Sequence, residues 1–302
     1  MTLRRYVQLD VFADRPGAGN PLAVVLDAGA CPERGRSSLD DAQMQAIARW
    51  TRLPETTFVL PPTQPGASYR IRIFSPRREV PFAGHPSVGT AHVVLEAGLA
   101  MAQDGRLLQE GVAGLLPLSV DGKGASRIIA VRTPRARVVE VAAMSDPRLA
   151  AALADLPLGT LPPALLDGGR RWWLAELADE AALRSVTPDW AAIAQLAERT
   201  ETMGVCVFAR ADGGRDYDLV VRAFVGVPAQ FEDAASGAAN ATLAAWLKHN
   251  DALPGHDGRY TVSQGREVGF DARLQLRVDS DGDVWSGGHV CNVVRGTIDW
   301  PA

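Results

Sequence analysis

Apolar and polar residues alternate over short stretches in much of this chain, the period of half-buried strands. Residues 6–12 alternate, a Pro/Gly loop follows at 14–21, and residues 22–26 resume a strand. Met44, Ile47 and Ala48 then recur at helical spacing. Asp40 and Asp41 load the first turn of a helix predicted to begin near Ser38. Pro54 ends that helix, and Glu55 opens a strand through Leu60. Tyr69, Ile71 and Ile73 alternate again. A turn at Ala83-Gly84-His85 leads into a helix with Val88, Ala91, Val94 and Leu95 on its apolar side, ending near Gly98. Residues 99–126 have no single strong period, so a crossover between two domains is expected there: 1–118 plus 288–302, and 119–287.

The second half begins with strand-like residues 128–141. Thr187-Pro188 predicts a helix start, with the helix running to about Glu198. Strands are expected near 203–209, 217–224, 260–264, 272–278 and 289–298. Many strands and few helices argue for an α+β fold and against a doubly wound parallel sheet.

The segment from Phe74 to His92 carries the most chemical information. Its strand–turn–helix plan puts an imidazole, His85, at a helix N-terminus, where backbone N–H groups lack helical partners and the dipole favours anions. A second strand, 219–224, leads through Phe231–Asn240 into a helix bearing Leu243, Trp246 and Leu247. There an acid, Asp233, takes the place that His85 has in the first. The repeated plan suggests two similar halves serving one cleft.

Composition narrows the function. The chain has 302 residues, enough for a full core, and a net charge of −4. It has no basic cluster with interleaved aromatics, which disfavours nucleic acid as a partner. Its apolar runs fall short of a membrane span. Met1-Thr-Leu-Arg-Arg-Tyr6 lacks the apolar stretch of a signal peptide, so a cytoplasmic protein is expected. The three cysteines, Cys31, Cys206 and Cys291, are scattered and have no metal-ligand spacing. No glycine-rich loop has nucleotide-binding spacing, so neither metal nor cofactor is expected. Asp279-Ser-Asp-Gly-Asp283 resembles part of a calcium loop, but Val290 stands where the twelfth-position glutamate belongs, and a turn is expected.

Glu55 can be read as a solvated turn carboxylate or as a general acid/base, and His85 as a helix-cap residue or a positioned catalytic group. Asp233 can cap its helix and also face a ligand.

Together, Asp10-Val-Phe12 with Gly19-Asn-Pro21, Glu55-Thr-Thr-Phe58, Glu79 through Thr90, the Glu232–Asn240 turn, Gln264-Gly265 and Gly287-Gly288 resemble the PhzF-like phenazine-biosynthesis family of isomerases, with the diaminopimelate-epimerase-like fold. The most specific block is Phe82-Ala-Gly-His-Pro86. The resemblance covers nearly the whole chain. It implies two like domains, each a curled or barrel-like, mostly antiparallel sheet around a central helix, with the active site in the cleft between them. It implies Glu55 as the acid/base, His85 and Asp233 as its catalytic companions, and Asn20, Gly84, Ser236, Gly237 and Ala238 against the substrate. The family's serine before the glutamate is Pro54 here, its second-turn serine is Ala238, and Phe270 stands at a usually cationic position. The two facing cysteines of related racemases are missing from both turns. The expected activity is a cofactor-independent isomerase shifting a proton on a small carboxylate-bearing metabolite, in biosynthesis, as a homodimer. The alternative is a non-catalytic metabolite-binding or dimeric scaffold protein that keeps the fold.

Overall fold

A computed structural model describes residues 3–31, 37–154 and 156–300. Its elements are β1 (Leu3–Val11), β2 (Asn20–Val25), α1 (Asp41–Thr51), β3 (Glu55–Leu60), β4 (Tyr69–Phe74), β5 (Glu79–Val80), α2 (Gly84–Glu96), β6 (Arg106–Gly111), β7 (Gly114–Asp121) and β8 (Ile128–Arg132). Then follow β9 (Arg137–Val141), β10 (Ala164–Asp167), β11 (Arg171–Glu176), α3 (Glu180–Ser185), α4 (Trp190–Thr200), β12 (Gly204–Arg210), β13 (Leu219–Val225) and β14 (Phe231–Asp233). The chain closes with α5 (Gly237–His249), β15 (Arg259–Gln264), β16 (Ala272–Val278), β17 (Val284–Gly288) and β18 (Val290–Asp299).

The chain divides into two compact units, Met1–Arg132 with Gly287–Ala302, and Thr133–Ser286. The first division falls after β8, beyond the 118/119 boundary expected from sequence, because β8 pairs with β7 (Leu118 opposite Val131) and stays with the first unit. In that unit β18 lies antiparallel to β1, β1 to β2, and β2 runs parallel to β3. Strand β3 is antiparallel to β4, which also holds the short β5 and, in parallel, β6; β6 is antiparallel to β7.

The second unit repeats this scheme. Strand β9 pairs with β10, β10 with β11, and β11 runs parallel to β12. Strand β12 is antiparallel to β13, which holds the short β14 and, in parallel, β15; β15 is antiparallel to β16. Helix α2 follows β5 just as α5 follows β14. The fold is mixed α+β and sheet-dominated, and the sheet curls without closing into a barrel.

Each long helix is wrapped because it has almost no polar face. Every residue of α2 from Gly84 to Val94 is buried, and α5 is buried nearly as completely. Helix α1 is amphipathic instead. Met44, Ile47 and Ala48 pack with Phe58, Leu60 and Phe74 in a satellite core. Its cap is Asp40 rather than Ser38, with a capping box through Gln43. Arg52 ends it in the left-handed conformation before Pro54. Likewise α4 starts at Asp189, not Thr187, because the Asp189 carboxylate accepts from Ala192 N–H. The aperiodic stretch 99–126 contains β6 and β7. The Asp279 segment is the expected turn: its carboxylate accepts from Asp283 N–H (2.8 Å) and Trp285 Nε1–H (3.1 Å).

At the start of α3, the Glu180 carboxylate is buried. Burial pushes its pKa up, but donation from Asp212 N–H (3.1 Å), Arg184 Nε (2.7 Å) and Tyr217 O–H (2.8 Å) outweighs burial and holds it at about 2. A depressed carboxylate adds stability that is full above its unfolded value and is lost as pH falls through the folded one. Glu180 should therefore cost the wild type about 1–3 kcal/mol on acidification from about pH 5 to pH 2. Denaturant titrations across that range should show the loss, and Glu180→Gln should flatten this part of the slope. An unchanged slope in the variant would assign acid sensitivity elsewhere.

Candidate active site

Glu55 is the first residue of β3, and His85 lies in the first turn of α2. Glu55 Oε2 stands 3.3 Å from His85 Nε2, with the imidazole side chain 8% and the carboxylate 14% exposed. The Glu-Thr-Thr sequence explains why the pair is held. Thr57 Oγ1 shares a 2.7 Å hydrogen bond with Thr90 Oγ1 of α2, and Thr56 Oγ1 one of 2.8 Å with Thr51 Oγ1 of α1. Both threonines are fully buried. Thr57 fastens the start of β3 to the helix that carries His85, and Thr56 fastens it to α1.

That helix start is fixed from its other side. Ser87 Oγ donates to Ala83 O (3.0 Å) and accepts from Gln109 Nε2 (3.1 Å). The Gln109 carbonyl oxygen in turn accepts from Tyr69 O–H (3.1 Å). Gly89 lets α2 approach the sheet, since a Cβ there would lie 2.6–2.8 Å from Leu22, Leu9 and Val11.

Asn20 is buried at the start of β2, opposite Val11. It shares a sheet face with Leu22 by strand alternation, and Leu22 is the neighbour of Glu55 in β3. The loop before it is organised by Asp10, whose carboxylate accepts from Gly17 N–H at 2.5 Å. Burial raises the Asp10 pKa against that hydrogen bond. Gly19 is required because a Cβ would meet Val11 O at 2.4 Å.

In the second unit, Asp233 ends β14 and its carboxylate accepts from Ala235 N–H (3.2 Å). It does not cap α5. Ser236 does, accepting from Ala239 N–H (3.3 Å). Gln264 brackets this turn. Its amide donates to Asp233 O (2.9 Å), and its oxygen accepts from Ser236 N–H (3.2 Å) and Asn240 Nδ2 (2.8 Å). Gly265 has φ +94°, and a Cβ there would meet Ala234 O at 2.4 Å. Gln264 lies far along the chain from Asp233, so nothing local in the sequence points to its bracketing role. Cys206 is fully buried on β12, and burial together with the Asp233 charge pushes its thiol pKa up.

The duplicated pairing allows the two units to be matched residue by residue. Phe74 faces Glu79 as Phe224 faces Glu232. In this match Gly84 corresponds to Gly237, Val80 to Asp233 and His85 to Ala238. Asp233 therefore does not hold the place of His85, as the sequence plan suggested. Phe74 also faces Thr56 as Phe224 faces Val205, so Glu55 corresponds to Gly204. The scaffold is duplicated, while among the described residues the Glu55–His85 contact has no counterpart at the matching positions of the second unit.

The sheet-dominated scaffold matches those of solved PhzF-family and epimerase-like proteins. The family model for phenazine biosynthesis-like proteins matches residues 9–292, and the chain belongs to that family; it is an isomerase. It is 33% identical over 281 residues to the trans-2,3-dihydro-3-hydroxyanthranilate isomerase of Pseudomonas aeruginosa, covering 93% of this chain and 92% of that one. It is also 30% identical to antisense-enhancing sequence 1 of Schizosaccharomyces pombe, covering 98% and 99% of the two chains. Among solved structures, a PhzF-family phenazine biosynthesis protein of Bacillus anthracis superposes with a TM-score of 0.81 at 22% identity, covering 99% and 100%. A predicted epimerase from Pseudomonas aeruginosa follows at 0.76 and 29%, covering 98% and 99%.

The asymmetry of the units has a steric cause that can be tested. Gly204 has φ +151°, and a Cβ on it would lie 2.0 Å from Phe224 O. Gly204→Ala should cost more than about 2 kcal/mol in a urea unfolding midpoint, since backbone must move to admit the methyl group. A variant as stable as the wild type would show that the second unit could have carried an acid here.

Proposed function

We propose that the protein catalyses a cofactor-independent proton shift on a small carboxylic acid, with Glu55 as the single acid/base. The observation that carries this reading is the 3.3 Å contact between Glu55 and His85, set in a nearly buried position at the foot of a buried helix. A partly buried carboxylate beside an imidazole can take a proton from a carbon next to an activating group and return it to another carbon on the same face. With glycine and alanine at the matching positions of the second unit, no second base of this kind is supplied, which favours a one-face shift over a two-base racemisation. His85 holds Glu55 in register and exchanges a proton with it or with a substrate heteroatom. Asn20 orients the substrate's polar groups. The helix start at Gly84 holds its carboxylate through backbone N–H groups.

The substrate class follows from the departures. Ala238 offers no hydroxyl, and Phe270, half-buried with its Cβ near the Gly265 position, offers no charge. A site without these donors gains nothing from a matching polar substituent, and burying one unpaired costs about 1–3 kcal/mol. We therefore assign a less polar acid than trans-2,3-dihydro-3-hydroxyanthranilate as substrate.

Incubating a panel of small β,γ-unsaturated carboxylic acids with the enzyme in D2O tests the chemistry. The wild type should incorporate deuterium into at least one of them, and folded Glu55→Gln should do so at least ~10²-fold more slowly. Equal exchange by the variant removes Glu55 from the mechanism; no exchange by the wild type sinks the proton-shift reading.

The substrate assignment has its own assay. Trans-2,3-dihydro-3-hydroxyanthranilate should be turned over poorly by the wild type and better by Ala238→Ser combined with Phe270→Arg. Efficient wild-type turnover of that compound would defeat the substrate class and leave the Glu55 mechanism in place.

A further inference from the structure

One ion pair recurs at matching positions of the two units, and no step of the proposed chemistry uses it. In the first unit Arg72, on β4, grips Glu79 of β5 with both arms of its guanidinium (Nε–Oε1 and Nη2–Oε2, each 2.7 Å). The guanidinium lies over the ring of Phe74, 5.0 Å from its centroid. In the second unit Arg222, on β13, grips Glu232 of β14 in the same way (3.0 and 2.8 Å), over Phe224 at 4.9 Å. In both units the glutamate precedes the first glycine of the buried helix by the same five positions, Glu79 to Gly84 and Glu232 to Gly237.

Each arginine also reaches the helix that precedes its sheet hairpin. Arg72 Nη1 donates to Asp41 in the first turn of α1. Arg222 Nη1 donates to the carbonyls of Leu183 (3.2 Å) and Val186 (2.7 Å) at the end of α3. Strands β5 and β14 have only two and three residues, too few for backbone pairing to hold them firmly. The pair in the second unit is almost fully buried, with side chains 5% and 3% exposed. Ion pairs are costly to desolvate, and a buried one is weak evidence for stability. The recurrence of arginine, aromatic ring and glutamate in one register is better explained by a geometric role.

We propose that the Arg72–Glu79 pair is a positioning device for the active-site turn: it clamps β5 onto β4 so that the His85 imidazole meets the Glu55 carboxylate. Arg222–Glu232 clamps the Asp233 turn in the same manner. Neither pair touches the reacting atoms. The proposal rests on the Glu55–His85 reading, and its test keeps the two separable.

The readout is the titration of the His85 ring in the whole protein, followed by NMR and assigned by the signal lost in His85→Gln. Replacing Glu55 by Gln removes the neighbouring charge and should move the midpoint. Glu79→Gln should move it in the same direction by at least about 0.5 pH unit. Glu79→Asp keeps the charge but cannot span to Arg72, and Arg72→Lys keeps the charge but loses the fork; both should reproduce the shift. Asp27→Asn breaks another two-armed ion pair of the same unit, to Arg5 (2.9 Å on both arms), and should leave the midpoint in place. A wild-type midpoint in Glu79→Gln, or in Glu79→Asp and Arg72→Lys, overturns the clamp and leaves the Glu55–His85 pair standing. An equal shift in Asp27→Asn also overturns it, because general loosening would then account for the effect. If Glu55→Gln itself causes no shift, the pair fails and the clamp with it. Should Glu79→Gln not fold, Arg72→Lys and Glu79→Asp decide the question.

Discussion

A helix with no polar face has to be enclosed, and that constraint shapes the rest of this fold. Helix α2 is buried from Gly84 through Val94, so no single flat sheet face would suffice. The strands curl around it, and Gly89 removes the side chain that would hold the helix away from Leu22, Leu9 and Val11. Enclosure then makes demands on the polar residues inside. His85, Ser87, Thr90 and His92 are all buried on this helix, and buried polar groups need partners. Ser87 meets Gln109 and Thr90 meets Thr57. His92 meets Glu96 and Asn292, with burial holding its pKa below the ordinary histidine value. His85 meets Glu55. The first two contacts join neutral groups and act as fasteners. The Glu55–His85 contact joins a titratable acid to a titratable base at the end of the helix where the carboxylate retains some exposure. The Ser87 and Thr90 contacts brace the end of the helix that carries this pair.

Much of this was legible in the sequence. Strands β3, β4, β12, β13, β15 and β16 show as alternating or continuous apolar runs, because their neighbours bury them on one or both faces. Strands β6 and β7 were missed in the stretch taken for a crossover. Strand β6 buries the polar Gln109 and Glu110 beside Leu107, and β7 buries Leu118 alone, so the two-residue apolar period is weak. Strands β10 and β11, with Trp172 and Trp173 fully buried side by side, have continuous apolar runs bounded by Asp167, Arg171 and Glu176 and give no period to read. The helix starts shifted by two or three residues, because Asp40 and Asp189 outcompete Ser38 and Thr187 as caps.

Glu55 and His85 were legible because each sits in a block of distinctive neighbours. Those neighbours prove to be the fasteners: Thr56 and Thr57 for the acid, Ser87 and Thr90 for the imidazole. The longer supports could not be read locally. Gln109 reaches Ser87 and Gln264 reaches Asn240 across 22 and 24 positions, and the sequence carries no mark of either pairing until the sheet brings them together. The matching of Asp233 to His85 was misplaced for a related reason. Both precede or open a buried helix, but only strand register shows that Asp233 corresponds to Val80.

The duplication also explains how one scaffold can divide its roles. The pairing order, the two-armed Arg–Glu contact and the wrapped helix appear in both units, so these belong to the architecture. The Glu55–His85 contact appears in one, so the architecture does not require it. Gly204, pressed against Phe224 O, leaves no room for a side chain where the first unit places Glu55. A symmetric pair of bases, one per unit, would need that backbone rebuilt and not merely a residue exchanged. A single substitution at Ala238 could restore an imidazole to the second helix start, but it would face no acid from β12. The geometry thus confines the Glu55–His85 contact to the first unit. The second helix start carries Asp233 and Ser236 bracketed by Gln264, with alanine where the first unit has its imidazole. The duplicated scaffold thus carries two unlike helix starts, and strand register is what tells them apart.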